Sequence, residues 1–209
     1  MKESNDRGIE WTDSEPNELV WKFPSENFAW NSQLIVHENQ AAAIFTGQGF
    51  FARKLRMYDF FSTGKYTLSP NSVPLMVSAF PEINARVSLA CHIIFCSTKE
   101  YSYSSPIYTG YSLGQGSVAM EAEAQCRLRI FSAELFFKNV VAAHKKLSTA
   151  KVVKYLKKGL GDELIRLHWP SEWISRRSTP LENKWRDLGI ELLELEFDSY
   201  KEEGVGTLT

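Results

Sequence analysis

The feature that most constrains this chain is a two-residue alternation running from Val118 to Ile130. Val118, Met120, Ala122, Ala124, Cys126, Leu128 and Ile130 are apolar, and of the residues between them only Ala119 is. Successive side chains of a strand point to opposite faces, so this pattern puts one face on a core. Glu121, Glu123, Gln125, Arg127 and Arg129 are then left in water, and a sheet wet on one face is typical of antiparallel pairing.

The segments before it also read as strands. Glu18 to Phe23 and Gln33 to Glu38 are short β-branched and aromatic runs separated by the turn residues Asn31-Ser32. Ala41 to Phe45 ends at Thr46-Gly-Gln-Gly49, Tyr66-Thr-Leu68 lies between Gly64 and Pro70, and Val87 to Cys96 reads as one strand buried on both faces. After Ile130 the period changes. Ser132 is an N-cap for a helix with Leu135, Phe136, Val140, Ala143 and Leu147 on one side. Ser148 opens a second helix with Val152, Tyr155, Leu156, Leu160 and Leu164 inward, weakened by Gly159 and Gly161. Thr179-Pro-Leu-Glu182 is a capping box with proline in the first turn, and Gly189 is a helix stop. Ile190 to Asp198 alternates again, with Leu193, Leu195 and Phe197 opposite Glu194, Glu196 and Asp198. The order predicts an α+β domain, a mostly antiparallel sheet packed with C-terminal helices and a final strand, over residues 9–200 with frayed ends at 1–8 and 201–209.

Composition narrows the functional classes. Hydrophobic residues make up 44% and charged residues 23%, which fits a globular protein, and a net charge of −1 exerts no general pull on nucleic acid. No nucleic-acid partner is expected. Cys91, Cys96 and Cys126 contain no Cys-x-x-Cys pair and read as buried free thiols. The polar start Met1 to Gly8 lacks a signal-peptide core, and no stretch reaches the ~20 apolar residues of a spanning helix. The expected location is the cytoplasm.

A search for chemistry finds no reaction class. Cys91 and His92 are adjacent, but neighbours on a strand point apart. His37, His144 and His168 have no motif partner. There is no His-x-x-x-His, no acidic calcium loop and no phosphate loop, since Gly47-Gln-Gly49 and Gly114-Gln-Gly116 both read as turns. No catalytic residue, metal or cofactor is expected. Charge segregation is more informative. Lys145, Lys146, Lys151, Lys154, Lys157 and Lys158 form a basic helical face suited to anionic lipid or a subunit contact, while Asp187 to Glu203 is acidic. Trp11, Trp21, Phe28 and Trp30 are either an interfacial membrane foot or the packing of an N-terminal strand.

Certain residues also resemble a known family. Ile9-Glu-Trp11, Asn17-Glu-Leu-Val-Trp-Lys-Phe-Pro24 and Ser32-Gln-Leu-Ile-Val-His-Glu-Asn-Gln40 resemble the opening of SPFH (band 7; stomatin/prohibitin/flotillin-type) proteins, most of all the virion core protein-like bacterial branch. Phe61-Ser-Thr-Gly64 and Lys65-Tyr-Thr-Leu68 stand where that branch has a Phe-Gly-Pro-Gly turn and a Tyr-Thr-Leu strand. Ile93-Ile-Phe95 with Thr98-Lys99, Ser105-Pro-Ile107 and Leu188-Gly-Ile-Glu-Leu-Leu193 are similar to later family segments. The turn proline is replaced at Thr63, and the Arg-Asp-Pro segment has no counterpart around Thr109 to Gln115. The resemblance implies a non-catalytic scaffold that forms homo-oligomers. It implies a place on the inner face of a membrane, organising membrane or stress-response partners whose identity the sequence does not give. The alternatives are a soluble protein-interaction module and a cysteine-dependent enzyme.

Overall fold

A computed structural model describes residues 8–12, 18–47, 55–81, 88–113, 116–142, 148–166 and 184–205. It is α+β, with mostly antiparallel sheets and few helices. The chain divides into two compact units, residues 1–99 with 132–149, and residues 100–131 with 150–209.

The first unit is built on a four-stranded antiparallel sheet in the order β2 (Val20–Lys22), β9 (His92–Ser97), β5 (Gln40–Gly47), β6 (Leu55–Phe61). Residues 41–46 and 93–97 are buried without alternation, as expected of central strands covered on both faces. One face carries Ala42, Ile44, Tyr58, Phe61, Ile93 and Phe95. These join Leu34, Val36 and Ile9 of a second sheet, in the order β1 (Ile9–Glu10), β4 (Gln33–Val36), β7 (Gly64–Thr67). The other face is covered after Ser132. There α2 (Ala133–Phe136) widens into a π-helical turn, Phe137–Val141, whose Phe137 ring packs on Phe45 and Phe60 at 5.8 and 6.2 Å.

Ser132 caps α2 as expected, its hydroxyl accepting from the Leu135 amide at 3.4 Å. The buried stripe is Phe136, Phe137, Val140 and Val141, one position round from the expected one, and Leu135 is exposed. Ala143 and Leu147 lie outside the described residues. A second correction concerns Val87 to Cys96. Ser88–Ala90 (β8) pairs with β3 (Asn27–Ala29), while β9 enters the four-stranded sheet, so this segment serves two sheets. Cys91 marks the change, its amide donating to the Glu26 carbonyl at 2.9 Å. A short helix the sequence reading missed, α1 (Pro74–Ala79), borrows its cap from β6. The buried Asp59 carboxylate accepts from the Leu75 and Met76 amides at 3.3 and 3.1 Å.

The second unit contains a meander of three long antiparallel strands, β10 (Glu100–Leu113), β11 (Gly116–Ile130) and β12 (Ile190–Val205), of 14, 15 and 16 residues. At the usual rise each spans about 50 Å. β11 is the strand read from the alternation. Cys126, Leu128 and Ile130 are buried, and Glu123, Gln125, Arg127 and Arg129 are exposed. β12 runs to Val205, so residues 201–205 are strand where fraying was expected. Its register with β11 shifts twice. The first shift skips Leu193, so Leu192 lies opposite Leu128 and Leu195 opposite Cys126. Gly189 precedes the strand at φ 78°, the left-handed conformation glycine adopts most readily. The Thr179 capping box lies outside the described residues.

Candidate functional site

Helix α3 (Thr149–Arg166) carries the basic face. Its first residue, Thr149, belongs to the first unit, where its hydroxyl accepts from the Leu19 and Val20 amides at 2.9 and 3.2 Å. Val152, Val153 and Leu156 are buried. With 3.6 residues per turn, Lys151, Lys154, Tyr155 and Lys158 fall within an arc of about 100° on the opposite side. All four are exposed. Among the described residues none of these three ammonium groups has an ion-pair partner. Tyr155 was expected inward and instead lies among the lysines at 39% exposure, because Val153 takes the third buried place.

Lys157 differs from its neighbours. Its ammonium lies 5.6 Å from the centroid of the Tyr103 ring on β10, a cation–π contact that turns it toward the sheet. Lys145 and Lys146 lie outside the described residues. The structure therefore gathers Lys151, Lys154 and Lys158 into one face and assigns Lys157 a packing role.

The acidic segment is partly neutralised within its own sheet. Arg127 donates to Glu100 at 3.0 Å and to Glu194 at 2.9 Å, and Arg129 donates to Glu191 at 2.6 Å. These pairs join β10, β11 and β12 across their exposed face. Beside them lies a shallow groove of about 280 Å³ whose polar lining includes Ser102, Ser104, Gln125 and Glu196.

No protein-family model matches the chain, and no curated protein matches it. Its function has to be read from its own residues.

All three cysteines are buried. Burial pushes the Cys126 thiol up to about 11. Burial also raises the Cys91 and Cys96 thiols, with the Asp59 charge adding to the effect at Cys91. Each is held as the poorly nucleophilic thiol. Cys91 belongs to the apolar cluster of the first unit, whereas His92 turns toward Glu26, its Nδ1 3.2 Å from the carboxylate. Burial and Lys22 lower the His92 pKa against the pull of Glu26. The structure does not bring Cys91 and His92 into one site. Among the described residues no three His, Cys, Asp or Glu side chains gather in a metal-binding group.

Of the N-terminal aromatics, Trp11 and Phe28 are buried, and Trp21 and Trp30 are partly buried against the same cluster. Trp11 is 3% and Phe28 6% exposed. Trp21 stacks on Trp11 with centroids 6.3 Å apart, and Trp30 packs against the same cluster. This is the strand-packing alternative, and it leaves Trp11 and Phe28 no exposed ring for a bilayer. Among the described residues no helix is long and apolar enough to cross a membrane.

Proposed function

We propose that this protein is a non-catalytic, self-associating scaffold domain of the SPFH kind that attaches peripherally to anionic membrane through α3. The observation that carries the reading is the row Lys151, Lys154, Tyr155, Lys158, exposed on the side of α3 opposite the buried Val152, Val153 and Leu156. Lysines present point charges to phosphate and carboxylate headgroups, and a tyrosine among them has an apolar ring with a polar tip suited to the interfacial layer. The SPFH part of the proposal has support from the segments that resemble the family's opening, which fall on β1, β2 and β4 of an α+β unit.

Magnitudes connect membrane attachment to self-association. Each lysine near an anionic surface contributes about 1 kcal/mol, so one copy gains about 3 kcal/mol, a millimolar-scale attraction at best. Two linked copies double that to about 6 kcal/mol before any gain from effective concentration. A scaffold that binds lipid this way needs partners of its own kind. The acidic segment is a poor counter-surface, because Glu191 and Glu194 are engaged by Arg129 and Arg127. That favours lipid over a head-to-tail protein contact as the target of the lysines.

The test is co-sedimentation with phosphatidylserine-containing and neutral phosphatidylcholine vesicles. Binding is expected to the anionic vesicles only. It should be lost as the Debye length falls from about 10 Å at 0.1 M salt to about 3 Å at 1 M. Equal binding to both vesicles, or to neither, would overturn the lipid reading.

A further inference from the structure

Among the described residues β10 and β12 are the two edges of the long meander, and they are built differently. β12 has the devices that keep a sheet edge from pairing: Glu191, Glu194 and Glu196 along the strand, and two register shifts that break its line. An antiparallel copy of β12 would also set carboxylates opposite carboxylates. β10 has neither device. Its register with β11 is continuous from Glu100↔Arg129 to Leu113↔Gly116, and Glu100 is the only charged residue in its 14. Ser102 and Ser104 are exposed and small. Edge strands of this length are normally shortened, charged, bulged or interrupted by proline, because their outward N–H and C=O groups template another strand; on β10 Pro106 is the one such interruption, and it leaves Glu100 to Ser105 without one.

We infer that β10 is the self-association edge, and that its occupant is β10 of a second copy, paired antiparallel across a two-fold axis. The inference rests on the self-association invoked above and supplies its surface. The two meanders would then form one six-stranded sheet, with the same strand on both sides as a two-fold contact requires. Pairing β10 with β12 of another copy is disfavoured, since it lays Glu194 and Glu196 alongside a strand that begins with Glu100 and forces the bulges into the new ladder. A register centred on Tyr103 sets Ser102 opposite Ser104 of the second copy, two hydroxyl side chains that let the strands approach. It also puts Pro106, which has no N–H to donate, opposite Glu100 at the end of the paired segment. Main-chain pairing of this kind is nearly indifferent to salt, unlike the lysine face.

The experiment measures mass by light scattering for the full chain and for Ser102→Lys/Ser104→Lys, which places like charges opposite one another at the axis. Amide exchange across residues 100–106 is followed in dilute and concentrated wild-type samples. The wild type is expected to be dimeric or larger at low and high salt, with exchange at 100–106 slowing as concentration rises. The double variant, with its thermal transition retained, should dissociate at least tenfold more readily. A folded variant that keeps the wild-type mass overturns the β10 edge and leaves self-association intact. If the variant fails to fold, the wild-type exchange data decide, and exchange that is independent of concentration overturns the inference. A wild type that is monomeric throughout removes this inference and the self-associating part of the proposed function together, while vesicle binding still tests the lipid part separately.

Discussion

Asp59 gives the sharpest check on how the first unit is held together. Helix α1 has no side-chain cap of its own, since Val73 occupies that position, and Pro74 has no N–H. The two amides that follow donate to Asp59 on β6. In Asp59→Ala the amide of Met76, a residue 1% exposed, loses its acceptor, at a cost of about 1–3 kcal/mol. Leu75 is 61% exposed, so water can replace most of what its amide loses. The sum should be about 2 kcal/mol, read as a lowered urea midpoint with an unchanged m-value. Asp59→Asn keeps one acceptor oxygen but points an NH2 at the second amide, and should cost about half as much. The pH dependence is a second signature. Burial pushes the Asp59 carboxyl above the ordinary Asp range, against the lowering by the two amide donors. The native state therefore holds the proton more tightly than the unfolded chain. This residue's contribution is thus fully present below about pH 3.9, the unfolded value, and is lost as pH rises through the native value. The penalty for Asp59→Ala should shrink across that window. A penalty below about 0.5 kcal/mol would refute the cap as described, and one that grows with pH there would show the two amide donors outweighing burial in setting the carboxyl's pKa.

Three further outcomes follow from the packing. Leu128→Ala, at a site with 0% exposure on β11, should cost about 2–5 kcal/mol in chemical denaturation, and a loss under 1 would mean the site is not core. Gly159→Ala should raise the thermal midpoint, by about 0.5–1 kcal/mol in stability, because a Cβ there meets only the Trp185 indole nitrogen at 3.9 Å within a helix; a lowered midpoint would contradict that geometry. At pH 8 the buried thiols of Cys91, Cys96 and Cys126 should react with a thiol reagent only after denaturant is added, and fast labelling of the native protein would count against their burial.

How much of this was legible depended on whether local pattern and tertiary role agreed. β11 was readable because its face of Cys126, Leu128 and Ile130 is buried and its other face is wet, so the sequence keeps a clean period of two. β12 shows the same period, but the skipped Leu193 is visible only in the pairing with β11, which sets Leu192 opposite Leu128. β10 was missed because its serines, glycine and proline read as turn residues; its strand character comes from fourteen paired positions on β11. β6 was missed for a different reason. Asp59 breaks its apolar pattern, and a buried carboxylate is explained only by α1, distant in sequence. The lysines of α3 were legible as a group, but their division was not. Lys157 turns to Tyr103, while Tyr155 joins Lys151, Lys154 and Lys158, a sorting that depends on which side of α3 is buried.

The central claim is that α3 meets anionic lipid through its exposed lysines, and one comparison addresses it most directly. Lys154→Glu/Lys158→Glu changes each copy by four charge units on that face and leaves Val152, Val153 and Leu156 in place. Co-sedimentation with phosphatidylserine vesicles at about 0.1 M salt should fall at least tenfold relative to wild type, given about 1 kcal/mol per basic residue and repulsion from the new carboxylates. Reversal of the exposed Lys65, on β7, should leave binding near the wild-type level. If the double variant sediments with anionic vesicles as the wild type does, the lysine face is an ordinary solvated surface and the membrane role proposed for α3 is wrong.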